Sequence, residues 1–207
     1  MMGRLASACL LALSALPTPL LATETQGHAS VQLGWKWLDG ETWGDVKHQD
    51  EFGACLSIGG RGWPVHIALD VLRSDKRVAY DASRYGGIGV QTYDGTTLEV
   101  ATGVRKIFDA GTTHPYVGGG LVWIDSSLRR EQLGLGETRD AEAFGGWLDV
   151  GAFWRLGPRF SLGLDLRWSH AESDNPTGPS GPDRASPFPE TYRLGGVHGG
   201  VTFGFAW

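Results

Sequence analysis

The residues best suited to chemistry fall into two groups. One is a compact cluster late in the chain: His170, Glu172, Ser173 and Asp174. A serine hydrolase needs a hydroxyl within hydrogen-bond reach of an imidazole, and a carboxylate that orients the imidazole. The other group is dispersed. Lys36, Asp70, Glu99, Arg105, Asp149, Arg155, Asp165 and Arg167 lie in runs where alternate residues are large and apolar. In an extended strand, neighbouring side chains point to opposite faces. Ser169 and Ser173 would then face away from His170, and the position two beyond His170 holds Glu172 instead of a hydroxyl. The compact cluster therefore reads as the polar edge of a loop, and no enzymatic activity is expected from it.

The dispersed charges need elements to hold them, and the chain supplies these with a period of two. Val201-Thr202-Phe203-Gly204-Phe205-Ala206-Trp207 alternates large apolar residues with small or polar ones, which marks a strand with one apolar face. Leu162, Leu164, Leu166 and Trp168 oppose Gly163, Asp165 and Arg167 in the same way. The pattern predicts eight strands: 29–37, 51–59, 64–73, 96–107, 115–124, 143–156, 160–168 and 192–207. Connections after the first, third, fifth and seventh are long, about 38–50, 74–95, 125–142 and 170–190, and the others are short. The fold class that follows is all-β, an eight-stranded antiparallel up-and-down barrel with an apolar outside, as a transmembrane barrel requires.

Parity then sorts the charges. Asp70, Glu99, Asp149 and Asp165 share the inward face with Lys36, Arg105, Arg155 and Arg167, and His66 and His198 also point inward. An eight-stranded barrel is barely wide enough for its own side chains, and charges there are tolerable only when paired. The balance predicts a salt-bridged, largely closed interior, with a narrow charge-selective pore as the alternative. Asp149 and Asp165 are expected at similar height, with Arg167 or another arginine between them. Tryptophans fall at strand ends: Trp37, Trp123 and Trp168 at one rim, and Trp63, Trp154 and Trp207 at the other. These suit interface anchors. Trp147 has inward parity and reads as packing.

Bulk properties narrow the class further. Arg4 followed by an apolar stretch ending at Ala22 reads as a signal peptide, residues 1–22, leaving a single barrel domain over 23–207. No other stretch has the roughly 20 apolar residues of a spanning helix. There are 32 glycines and 9 tryptophans but 2 methionines, as suits tight turns, a crowded interior and interface girdles. The net charge of −5 gives no basis for nucleic-acid binding. With Cys9 in the leader, Cys55 stands alone, so no disulfide is expected within the mature chain. The histidines are scattered and the glycine clusters lie in strands or turns, so neither a metal, a phosphate loop nor any other cofactor is expected.

Three segments resemble the eight-stranded outer-membrane β-barrel superfamily of the OmpA, OmpX and OmpW kind. They are Pro115-Tyr116-Val117-Gly118-Gly119-Gly120, Leu162 through His170, and Gly195 through Gly200 running into the last strand. Phe205 and Trp207 match the C-terminal signature read by the barrel-assembly machinery, although Thr202 stands where that family prefers glycine. The resemblance implies residence in the bacterial outer membrane. It implies outer-membrane lipid, lipopolysaccharide and the assembly machinery as partners, and long outer loops whose ligand is unknown. The superfamily contains structural proteins, small channels and a few lipid-modifying enzymes. The expected role is a non-enzymatic barrel, with a narrow solute channel and a lipid A or phospholipid-modifying enzyme as alternatives.

Overall fold

The alternating segments pair into one closed sheet. This computed structural model describes residues 25–81, 89–132, 135–174 and 191–207. The expected leader, 1–22, and the Pro/Gly-rich segment 175–182 lie outside the described residues. The strands are β1 (Thr25–Leu38), β2 (His48–Gly60), β3 (His66–Asp81), β4 (Val90–Ile107), β5 (Thr113–Gln132), β6 (Leu135–Arg155), β7 (Phe160–Ser173), the two-residue β8 (Tyr192–Arg193) and β9 (Gly196–Ala206). Consecutive long strands pair antiparallel from β1 to β7. β9 closes the ring between β7 and β1, while β8 caps the far end of β7. Among the described residues, eight long strands thus form an up-and-down barrel without an edge, which disposes of the exposed backbone groups an open sheet would carry.

Both ends of the barrel chain lie at one rim, where His28 pairs with Ala206 and Thr25 with Gly60. We call this the near end. The connections there, 61–65, 108–112 and 156–159, are short, as expected. At the far end two of the expected long loops, 74–95 and 125–142, are largely strand among the described residues. β5 and β6 have 20 and 21 residues and stay paired from Thr113↔Trp154 up to Gln132↔Leu135. β3 and β4 likewise pair up to Asp81↔Val90. Apolar alternation stops well short of these strand ends. Backbone pairing does not need apolar side chains, and here it continues through Ser, Thr, Asp and Arg.

The first connection departs from a loop in another way. Residues Gly40–Trp43 form a short helix, α1, capped by Asp39, whose carboxylate accepts from the Thr42 backbone N–H at 3.2 Å. A 3₁₀ turn, Gly44–Val46, follows. This segment folds down into the far mouth and buries Trp43 and Val46. Trp43 Nε1 donates to the Arg193 carbonyl at 2.9 Å, and Leu194, Tyr192, Ile124 and Leu128 pack against the same plug.

The outer surface carries the expected apolar belt. Val31, Leu33, Phe52, Ile67, Leu121, Phe144, Leu148, Val150, Leu164, Leu166 and Phe203 are all exposed. Trp37 and Trp168 flank Val197 at the far rim, and Trp123 pairs with Phe144 there. Trp154 and Trp207 sit at the near rim, with Trp63 in the adjoining turn. All six expected anchors therefore lie at the belt's two edges.

Candidate functional site

The chemistry of this molecule is inside the barrel, in layers. Interior space is made by glycines on the inward faces. A Cβ on Gly118 would collide with Asp149 Oδ1 and lie 3.3 Å from the Trp147 ring, so its missing side chain makes room for both. The central layer is built on Arg105 of β4 and Arg167 of β7. Arg105 donates to Asp70 Oδ2 at 2.9 Å, to Ser57 Oγ at 2.9 Å and through Nε to Asp149 Oδ2 at 3.0 Å. Arg167 donates to the same Asp70 oxygen, and its Nη2 lies 3.7 Å from Asp149 Oδ2. Both guanidinium groups lie over the buried Trp147 ring, 5.7 and 4.7 Å from its centroid, a cation–π arrangement strengthened by exclusion from water. Trp147 Nε1 donates to the Thr102 carbonyl at 3.2 Å. Two arginines, two aspartates and an indole thus fill the cross-section.

Asp165 is placed differently from expectation. Neither arginine bridges it to Asp149. Its Oδ2 accepts from the Tyr116 hydroxyl at 2.6 Å. The register explains this, because Asp149 pairs with Arg167 while Asp165 pairs with Gly151, two residues nearer the near end. Arg155 is also corrected. It keeps inward parity, but it is the last residue of β6 at the near mouth and is solvent-exposed, outside the buried network.

The layer toward the far end joins Lys36, Glu99, Glu51, His198 and Ser169. Lys36 Nζ donates to Glu99 Oε1 at 2.5 Å and to Thr97 Oγ1 at 3.1 Å. His198 Nδ1 lies 2.6 Å from Glu51 Oε2, and its Nε2 lies 3.0 Å from Ser169 Oγ. Ser169, His198 and Glu51 therefore reproduce the distances of a hydrolytic triad. Their other contacts argue against that chemistry. Ser169 Oγ also donates to Glu99 Oε1 at 3.1 Å and accepts from the Gly196 backbone N–H at 3.3 Å. That hydroxyl proton is directed at Glu99 and not at His198 Nε2, where a general base would need it. Ser169 is 1% exposed, beneath the Trp43–Leu194 plug, so a substrate carbonyl has no route to it. Sequence reasoning missed Glu51, although its parity matches Cys55 and Ser57. It also missed Tyr116, because glycines blurred the parity of β5. The cluster considered for hydrolysis is not assembled: His170 and Glu172 lie outward and partly exposed, 3.8 Å apart, while Ser173 is buried on the opposite face.

At the near end His28 and His114 both stack with Phe153, with centroid distances of 4.2 and 4.9 Å. His28 Nε2 lies 2.8 Å from Ser161 Oγ. On the outer surface, above Trp123, Asp125 stands directly across from Glu142. Partial burial, then the carboxylates of Glu142 and Asp140, hold the Asp125 carboxyl above the usual carboxylate range.

The assembled geometry defines a closed antiparallel barrel with a polar, ion-paired inside and an apolar outside, and solved structures share this fold. OprG from Pseudomonas aeruginosa, an outer-membrane protein, matches with a TM-score of 0.59 at 11% identity, over 89% of this chain and 97% of that one. A major outer-membrane protein from Thermus thermophilus matches with a TM-score of 0.58 at 14% identity, covering 88% and 99%. Ail, the attachment invasion locus protein of Yersinia pestis, matches with a TM-score of 0.52 at 12% identity, covering 88% and 100%. No protein-family model and no curated protein matches the chain.

Proposed function

We propose that this is a non-enzymatic barrel of the bacterial outer membrane, closed to solutes, which anchors in lipid and presents its far-end hairpins outside the cell. The belt of exposed Leu, Val and Phe between tryptophan rims supports the membrane setting. Fold sharing with outer-membrane proteins supports the same compartment. About nine to eleven tilted residues cross a hydrocarbon core, so strands of 20 and 21 residues stand well clear of it. The near end, with its short turns, then faces the periplasm. Outer-membrane lipid and lipopolysaccharide contact the belt and its rims, and the C-terminal strand engages the assembly machinery. Export depends on the leader expected in residues 1–22.

The observation that carries this reading is the filled central layer. Arg105, Arg167, Asp70, Asp149 and Trp147 are each at most 5% exposed and span the barrel. The test is single-channel recording in planar bilayers with protein whose heat-modifiable gel migration establishes folding. Silence is expected. A steady, reproducible conductance would replace this reading with that of a channel. Release of an acyl chain from lipopolysaccharide or phospholipid by the folded protein would replace it with that of an enzyme.

A further inference from the structure

Above the plug, one side of the barrel keeps rising. β3 to β6 stay paired beyond the last β2 contact, Asp50↔Asp75, and beyond the last β7 contact, Gly145↔Ala171. Among the described residues these four strands therefore stand as a curved half-wall, open on its concave side. At about 4.8 Å between strands it is roughly 15 Å across, the width of one extended or looped segment.

The two faces of the half-wall differ. The outer face interleaves Asp94 and Glu131 with Arg77 and Arg129, and Arg129 pairs with Glu131 at 3.1 Å. The inner face carries three bases, Lys76, Arg130 and Arg139, against one acid, Glu137, and adds Tyr80 and Tyr93. Tyr93 packs against the plug. Tyr80 lies one row further out, beyond that buried cluster, and meets Tyr93 edge-on at 6.4 Å. Arginine and tyrosine are among the residues that dominate binding energy at protein interfaces.

Arg130 is set up as the anchor. The Gln91 amide oxygen accepts from Arg130 Nε and Nη2 at 2.5 and 2.6 Å and from the Tyr93 hydroxyl at 2.8 Å. The Arg130 guanidinium lies over the Tyr93 ring, 5.7 Å from its centroid. Among the described residues Arg130 forms no ion pair, because Glu137, directly across from it, is taken by Arg139 at 3.4 Å. Lys76 has only an exposed contact with Asp50 at 3.8 Å, and such pairs are weak. A guanidinium oriented by neutral groups and left without a counter-charge suits a carboxylate, which matches its planar fork.

We infer that the inner face of this half-wall binds an acidic segment of a partner polypeptide, whose Asp or Glu side chain takes Arg130 with Lys76 supporting the charge. The inference rests on the reading that the far end stands outside the cell. A polypeptide fits better than an anionic saccharide, because the ring a sugar would stack on is engaged: Tyr93 lies under Arg130 and against the plug.

The test uses the full chain folded in nanodiscs and a random-peptide phage library. Selected peptides should be enriched in Asp and Glu. Arg130→Gln should weaken the best of them by about ten- to a hundredfold, as loss of a charged hydrogen-bonded contact does. Arg129→Gln, on the outer face, should leave binding unchanged. If Arg130→Gln does not reach the heat-modifiable folded form, the Arg130 Nε–H resonance of the wild type carries the test and should shift saturably with peptide. A library that yields no binder, binders without acidic enrichment, or full binding in folded Arg130→Gln would overturn the inference. So would an Arg130 resonance that heparin shifts and acidic peptides do not. Orientation is checked apart, by labelling Thr138→Cys with an impermeant maleimide on intact cells, so a far end in the periplasm and a failed peptide site give different results.

Discussion

Replacing Arg105 with methionine removes the hub of the central layer while roughly keeping its volume. Asp149 loses its close donors and retains only the Arg167 nitrogen at 3.7 Å. Asp70 keeps one arginine of two, and Ser57 loses its donor. Removing one partner of a buried ion pair typically costs about 3–5 kcal/mol, because the other charge remains desolvated. At about 1.4 kcal/mol per decade, the unfolding equilibrium should shift by roughly 10²- to 10³-fold or more. The assay is reversible urea unfolding in lipid vesicles, followed by tryptophan fluorescence. A second variant isolates the cause. Arg105→Met combined with Asp149→Leu removes the stranded carboxylate as well, so it should recover much of the loss and show coupling well above 1 kcal/mol. A loss below about 1 kcal/mol in the single variant is the signature of an exposed pair. That result, or strict additivity in the double variant, would refute the claim that this layer is dry and mutually dependent.

Trp147→Ala should cost about 3–5 kcal/mol by the same assay, since it empties the space beneath both guanidinium groups. Ser169→Ala should fold normally, and the wild-type protein should resist labelling by a fluorophosphonate probe; rapid labelling at Ser169 would revive the triad. Asp125→Asn should stabilise the protein by about 0.2–1 kcal/mol at neutral pH by relieving the cross-strand pair with Glu142. Because folding holds the Asp125 carboxyl high, wild type loses stability as pH rises through the acid range and Asp125 ionises. The advantage of the variant should therefore vanish at low pH. Gly145→Leu should fail to give the heat-modifiable folded band, because even its Cβ would collide with the His170 carbonyl oxygen.

The strand content, the antiparallel closure and the two rims of tryptophan are legible in the residue pattern alone, because alternation assigns each side chain to one of two faces. Parity places Lys36, Asp70, Glu99, Arg105, Asp149, Asp165 and Arg167 inside, and inside is where they are buried. The extent of β3 to β6 is not legible. Beyond the apolar belt the pattern carries no contrast, while backbone pairing continues regardless of side-chain type. The inward fold of α1 is also hidden, because its two anchors, Trp43 and Val46, lie three residues apart in a segment too short to show a period.

What the sequence determined by itself is facing: which residues meet an apolar surround and which must be satisfied within. Which acid meets which base was decided only by the tertiary structure. Arg167 reaches Asp70 across 97 residues of chain, and Asp165 misses both arginines by a step of two residues along the sheet. Such pairings depend on strand register and tilt summed around a closed ring, a property of the whole barrel that no local stretch of sequence records.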